Sequence, residues 1–147
     1  MHADFKSHSG VIISLGAGTL LARSTKQKLN SKSSTEAEMI AVSDGLNHVL
    51  WLRNFLGDQG YRMPPAKVFQ DNISAIRLFQ TGKCSSSLRT RHIAISFYFV
   101  QDCMYHGEIA VLFVGTNYMI ADILTKPLQG ANFEEIEAKL ISDCNLE

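Results

Sequence analysis

Cysteine is scarce in this 147-residue chain: Cys84, Cys103 and Cys144 are the whole complement, and no two of them form a Cys-x-x-Cys pair. That spacing excludes a zinc knuckle and a disulfide framework. Reduced thiols in a cytosolic or nuclear protein fit it best. No apolar run reaches the length of a membrane span. Residues Met1 to Lys6 lack the apolar centre of a secretory signal. Internal repeats and low-complexity tracts are missing as well. Net charge is also missing, because 14 Lys and Arg balance 14 Asp and Glu. A neutral total argues against a protein that simply coats a polyanion.

What is present is a hydrophobic share of 46%, enough for a real core and against disorder. The length suits one domain over residues 1–147, with a core from about 6 to 128 and an acidic C-terminal helix and tail over 129–147. The balanced charge is unevenly spread. Ala22 to Lys32 hold four bases and no acid, and Asn72 to Gln101 hold Arg77, Lys83, Arg89 and Arg91 and again no acid. Basic segments in a neutral chain suit a polyanion bound on one face, or equally a solvated surface.

Local patterns order the elements. Gly10 to Leu15 and Thr19 to Arg23 flank Gly16-Ala17-Gly18 and predict a hairpin. Ser33 to Thr35 announce a helix on which Met39, Val42, Leu46 and Val49 step by three and four, and Gly60 offers its left-handed cap. Ala66 to Gln70 reads as a strand and Ile73 to Phe79 as a helix. His92 to Tyr105 reads as a helix whose aromatics leave a strand open. Glu108 to Val114 is a strand, Tyr118 to Thr125 a helix stopped by Pro127, and Phe133 to Leu140 a last acidic helix. The order gives an α/β fold, a mixed sheet with helices on its faces. Trp51 is expected in the core, not as a stacking platform.

Three acidic stretches stand out: Ser33-Ser34-Thr35-Glu36-Ala37-Glu38, Val68-Phe69-Gln70-Asp71-Asn72 and Ala121-Asp122-Ile123-Leu124. Carboxylates brought together by a fold repel, and a cation between them relieves the repulsion. Oxygen donors of this kind suit Mg²⁺ or Mn²⁺, and paired divalent ions are a common means of cleaving a phosphodiester. Each acid also has a structural reading. Glu36 and Glu38 each complete a capping box, with Ser33 or Thr35, and two residues apart they point roughly 200° from one another on a helix. The expectation is that Glu36 caps or meets solvent while Glu38, four residues before Val42, faces inward. Asp71 suits a helix N-cap, and Asp122 suits the first turn of a helix.

The combination of Lys26-Gln27-Lys28, Ser33 to Glu38, Trp51-Leu52-Arg53, Asp71-Asn72-Ile73-Ser74-Ala75-Ile76, Arg89-Thr90-Arg91-His92-Ile93 and Ala121 to Leu128 resembles the ribonuclease H domain of Ty1/copia-type retrotransposon Pol polyproteins. The resemblance runs from about Lys6 to about Leu140. It implies a ribonuclease H-like mixed five-stranded sheet with helices on both faces, and hydrolysis of the RNA strand of RNA–DNA hybrids. It places catalytic and metal-binding acids at Glu38, Asp71 and Asp122, with two Mg²⁺ (or Mn²⁺) ions. Candidates for phosphate contacts are Arg23, Lys26, Lys28, Arg89 and Arg91. The implied partners are the hybrid and an upstream reverse transcriptase domain. A monomeric domain in the cytoplasm or nucleus, without membrane contact, is expected. The resemblance departs at the front: the family's first Asp precedes the segment that resembles His2 to Gly10, so most of strand one and that acid have no counterpart here. Weakened metal binding follows, and a non-catalytic remnant with the same fold is the alternative. An integrase-like recombinase is disfavoured because its Glu follows both Asp residues, whereas Glu38 precedes Asp71.

Overall fold

The computed structural model describes residues 7–16, 18–28, 30–31, 33–81, 91–127 and 129–141. Strands β1 (His8–Ser14) and β2 (Thr19–Lys26) form an antiparallel hairpin in which His8 faces Lys26 and Ser14 faces Thr19. The register slips between Ile13 and Ser14. There the Ser14 hydroxyl donates to the Gly18 carbonyl at 2.6 Å and accepts from the Gly16 amide at 3.1 Å. Gly16 and Gly18 take φ values of 115° and 77°, which only glycine adopts cheaply in so tight a loop.

Helix α1 (Ser34–Asp58) starts at Ser33, whose side chain accepts the Glu36 amide at 3.2 Å. This settles the choice of cap in favour of Ser33. The helix ends where Gly60 turns to φ 89° and the Tyr61 amide reaches back to the Leu56 carbonyl at 3.1 Å, a Schellman closure. Met39, Ile40, Ser43 and Leu46 are buried along one side of it, and Val42 and Val49 pack partly buried on the same core. Trp51 overturns its expectation: it is 66% exposed. It lies on the outer face of α1, while its neighbours Val49 and Leu50 pack against the core.

Strand β3 (Ala66–Gln70) pairs in parallel with β4 (Ile109–Phe113), Ala66 facing Ile109 and Gln70 facing Phe113. A parallel pair needs a crossover. It contains α2 (Ile73–Thr81) and α3 (Arg91–Tyr105), so the aromatic-rich segment is helical. The main core joins α1 with Ala75, Ile76 and Phe79 of α2, Ile93, Phe97, Val100 and Cys103 of α3, and Ile109 and Val111 of β4. Phe79 and Phe97 stack at 6.3 Å. A smaller core gathers Ile12, Ile120, Ile123, Ile136 and Leu140 between β1 and α4 (Ala131–Ile141).

The expected helix over 118–125 is instead a pair of 3-10 turns, Thr116–Tyr118 and Ile120–Leu124. Among the described residues the strands form two separate two-stranded sheets, β1–β2 and β3–β4. The fold is therefore mixed α/β, and a continuous five-stranded sheet is not what these residues display. Helix α1 touches both sheets: Gly45 lies against the Val11 side chain of β1, and Glu38 meets Gln70 of β3. Among the described residues no helix is long and apolar enough to cross a membrane.

Candidate acidic site

The site is built around the end of β3. Gln70, the last residue of the strand, is 2% exposed. Its Oε1 accepts the backbone amides of Asp71 at 2.8 Å and Asn72 at 3.1 Å, and its Nε2 donates to Glu38 Oε2 at 3.1 Å. One amide side chain thus folds the turn after β3 and holds the carboxylate of α1 against it. The cap of α2 falls to Asn72, whose Oδ1 accepts the Ala75 amide at 3.1 Å. The N-cap reading of Asp71 is corrected accordingly.

Asp122 stands on the 3-10 turn Ile120–Leu124. Gly10 of β1 admits this turn closely: a Cβ on Gly10 would lie 2.8 Å from the Ala121 carbonyl oxygen. Ser24 of β2 donates its hydroxyl to the Leu124 carbonyl at 2.7 Å. The hairpin face therefore fixes the turn, and the turn fixes Asp122. The side chain of Asp122 is 16% exposed and pairs with Lys126 Nζ at 2.6 Å, one helical-type step of four residues away.

Asp71 and Asp122 both come within electrostatic reach of Glu38. The pKa of Glu38 is raised first by burial. The hydrogen bond from Gln70 opposes that shift, the charges of Asp71 and Asp122 add to it, and Lys126 opposes it. Glu36 departs from its expectation. It is buried at 7% exposure, so of the two roles expected for it, capping or meeting solvent, it does not take the second; its backbone amide donates to Ser33 Oγ. The start of α1 is covered by Gln27, whose Nε2 donates to the Ala37 carbonyl at 2.8 Å and to Ser9 Oγ at 2.9 Å.

Proximity in charge is not a ligand cage. Among the described residues no group of three His, Cys, Asp or Glu side chains stands ready to hold a metal ion. Lys126 occupies one oxygen of Asp122 and Gln70 one oxygen of Glu38. A divalent cation would take the place of those partners on these acids. Their repulsion is relieved by an ammonium group and an amide.

The basic candidates lie elsewhere. Arg23 on β2 is exposed, with its guanidinium 3.0 Å from His48 Nε2 of α1. Lys26 and Lys28 are exposed at and after the end of β2. Partial desolvation raises the pKa of Asp44 on α1, against the nearby charges of Arg23 and Lys28. Arg89 lies outside the described residues, as does the side chain of Arg91. Sequence reasoning missed Gln70, Lys126 and Gly10. The Asp122-to-Lys126 spacing was a usable signal, since residues four apart can pair. Gln70 gave none, because only the folded turn shows what its amide joins.

The fold and these acids define an α/β domain that carries a carboxylate group at the end of a parallel strand pair. Comparison with known proteins narrows the class. Over 138 residues, 93% of the chain, it is 33% identical to the retrovirus-related Pol polyprotein from transposon RE1 of Arabidopsis thaliana. It is 31% identical over 129 residues to that from transposon TNT 1-94 of Nicotiana tabacum. It is 26% identical over 137 residues to the transposon Ty1-NL2 Gag-Pol polyprotein of Saccharomyces cerevisiae. The chain is thus homologous to a stretch of Ty1/copia-type retrovirus-related Pol polyproteins. It spans 9% of the RE1 polyprotein, 10% of the TNT 1-94 polyprotein and 8% of the Ty1-NL2 polyprotein. No family model matches the chain, and neither does any solved structure.

Proposed function

We propose that this chain is a ribonuclease H-like module of a retrotransposon Pol polyprotein, hydrolysing the RNA strand of RNA–DNA hybrids in the cytoplasm or nucleus. The observation that carries the reading is the Gln70 amide, which donates to Glu38 at 3.1 Å and accepts the Asp71 amide at 2.8 Å, with the charge of Asp122 acting on the same Glu38 carboxylate. Acids 33 and 84 residues from Glu38 in the chain have no reason to share one field unless the fold is built to gather them. In this reading the three carboxylates are the reactive group. Gln70 positions Glu38, and the docked 3-10 turn positions Asp122. Arg23, Lys26 and Lys28 supply phosphate contacts. Mg²⁺ or Mn²⁺ belongs to the proposal as the counter-charge the acids would share when substrate is bound. The proposed partners are the hybrid and an upstream reverse transcriptase domain of the same polyprotein. The five-stranded sheet belongs to it too. Among the described residues β1 and β3 are each paired on one side only, and one strand between the two pairs would complete five.

A second reading has its own observation. The Lys126–Asp122 pair, which occupies one oxygen of that acid, suits a domain that keeps the fold and binds hybrid without cleaving it. One experiment separates the two. A hybrid labelled on its RNA strand is incubated with the protein in Mg²⁺ and in Mn²⁺. Cleavage that disappears in Asp71→Asn supports the nuclease. Retention of labelled hybrid on the protein, with no cleavage in either ion, supports the binding remnant.

A further inference from the structure

Arg23 stands where the hairpin meets α1. The register sets it opposite Val11, and the Val11 side chain lies against Gly45 of α1. Residues directly opposite in an antiparallel pair share a face. Arg23 is therefore on the face of the hairpin that α1 covers, and there its guanidinium meets His48 Nε2 at 3.0 Å. Arginine only donates, so Nε2 accepts and the ring proton belongs to Nδ1. Asp44, one turn before His48, feels the charges of both Arg23 and Lys28. It neutralises neither. Among the described residues Arg23 and Lys28 form no ion pair. An exposed guanidinium is thus held by a neutral ring from another element and keeps its charge free.

We propose that Arg23 and His48 together form a phosphate site for the backbone of the RNA–DNA hybrid, with Lys28 as a supporting charge. It rests on the hybrid-binding reading, and it applies to a nuclease and to a binding remnant alike. His48 joins the basic candidates as a contact that only the folded pair reveals. The planar fork of a guanidinium matches two phosphate oxygens. A fork already held by His48 loses less freedom on binding, and the Nδ1–H of the ring supplies a further donor. Two bases against one acid leave the cluster positive, which suits a phosphodiester and repels a cationic partner. His48 follows Glu38 by ten residues on α1, about 15 Å along the axis. Each strand of a duplex carries one phosphate per roughly 3.4 Å of its axis. A duplex lying along α1 would cover the interval from these bases to the acids in about four steps. A backbone contact at that distance sets where the hybrid lies and carries no sequence information.

Fluorescence anisotropy with a fluorescein-labelled RNA–DNA hybrid, in Mg²⁺ over a salt series, tests the site. Every protein in the series carries Asp71→Asn, so that the RNA strand stays whole. Arg23→Ala should weaken binding about tenfold and lower the slope of log K against log salt by about one. His48→Ala should weaken it severalfold, and should add little in the Arg23→Ala background, because the two act as one site. Asp44→Asn should tighten binding by about two- to fivefold, a gain that no misfolded variant can mimic. Lys67→Ala removes an exposed base of β3 and should leave the affinity as it is. Arg23→Ala and His48→Ala proteins that bind as the Asp71→Asn parent does overturn the proposal. An equal loss with Lys67→Ala also overturns it, since the effect is then one of net charge. Absence of any hybrid binding overturns the proposal and the hybrid reading together. Cleavage by the protein with Asp71 intact is measured separately, so cleavage alongside unaffected binding in both variants removes the phosphate site alone.

Discussion

Gly10 is the position where a single methyl group should do most harm. Its missing side chain admits the turn that carries Asp122. An added Cβ would sit 2.8 Å from the Ala121 carbonyl oxygen, 2.9 Å from Thr125 Cγ2 and 3.1 Å from Leu124 Cβ. Carbon atoms in contact prefer about 3.5–4.0 Å. The turn in Gly10→Ala must therefore retreat, and it cannot do so by rotating a side chain, because the nearest atom is backbone. Retreat also pulls on the 2.7 Å hydrogen bond from Ser24 to Leu124 and loosens the small core under Ile120. Overpacking of this kind destabilises by about 1–3 kcal/mol. For a chain of this size that lowers the midpoint of thermal unfolding by about 2–12 °C. Differential scanning calorimetry measures the shift. If the acids act together, hybrid cleavage should fall in parallel, because the displaced turn carries Asp122 away from Glu38. Two companions sharpen the test. Thr125→Ala in the Gly10→Ala background removes one clash and leaves the carbonyl, so it should recover only part of the loss. Gly45→Ala places its Cβ 3.3 Å from a Val11 methyl, which can give, and it gains helix propensity of about 1 kcal/mol. It should be close to neutral. A Gly10→Ala protein that melts within about 1 °C of the parent would refute the packing argument, since even 1 kcal/mol should show.

Other expectations follow from the same geometry. Glu38 titrates above its ordinary 4.5 because burial and the charges of Asp71 and Asp122 disfavour its ionised form, so the folded state holds its proton longer than the unfolded state does. The stability this gives is fully present below about pH 4.5 and is lost as pH rises through the folded value. Glu38→Gln should flatten that part of the pH–stability curve in urea titrations, and an unchanged slope would contradict the assignment. Gln70→Leu strands the amides of Asp71 and Asn72 and releases Glu38. Both amides are only part-buried, so a loss of about 1–3 kcal/mol in all is expected in chemical denaturation. Cys103 is buried, and its thiol is pushed up to about 11 by burial first and then by Glu108. In a Cys84→Ser, Cys144→Ser background it should resist a thiol reagent at pH 8 until the protein unfolds, and rapid labelling of the native state would count against the burial.

How far the sequence reached can be judged from particular residues. Helix α1 was legible because its signals are local. Ser33 at the cap, apolar steps from Met39 to Val49 and Gly60 at the stop each act within a few residues. The parallel pairing of β3 with β4, across α2 and α3, was not legible, because pairing register depends on contacts distant in the chain. The segment over 118–125 misled for a related reason. Its composition permits a helix, but residues 121–125 must lie close on Gly10 and Ser24, and the short 3-10 turn Ile120–Leu124 follows that surface. Trp51 misled because hydrophobicity sets which residues gain by burial, not whether anything in one chain is there to bury them.

The acids show the same division between what is local and what is assembled. Their identities were readable, and so was the reason to suspect them jointly. The charge balance among them was not. Each of Glu38, Asp71 and Asp122 sits beside a different device: the Gln70 amide on Glu38, the Gln70 clip that folds the turn at Asp71, and the Lys126 ammonium on Asp122. A group of like charges left without such devices would raise its own pKa values until it neutralised. Here Lys126 lowers the pKa of Glu38 as well as pairing with Asp122, so one flexible cation serves two acids. At 48% exposure its side chain is held by little besides that pair, and pairs so open to water contribute about 1 kcal/mol or less. Lys126 can therefore leave at small cost when a stronger positive charge arrives. If the acids serve catalysis, the ammonium that pairs with Asp122 is the group that must yield.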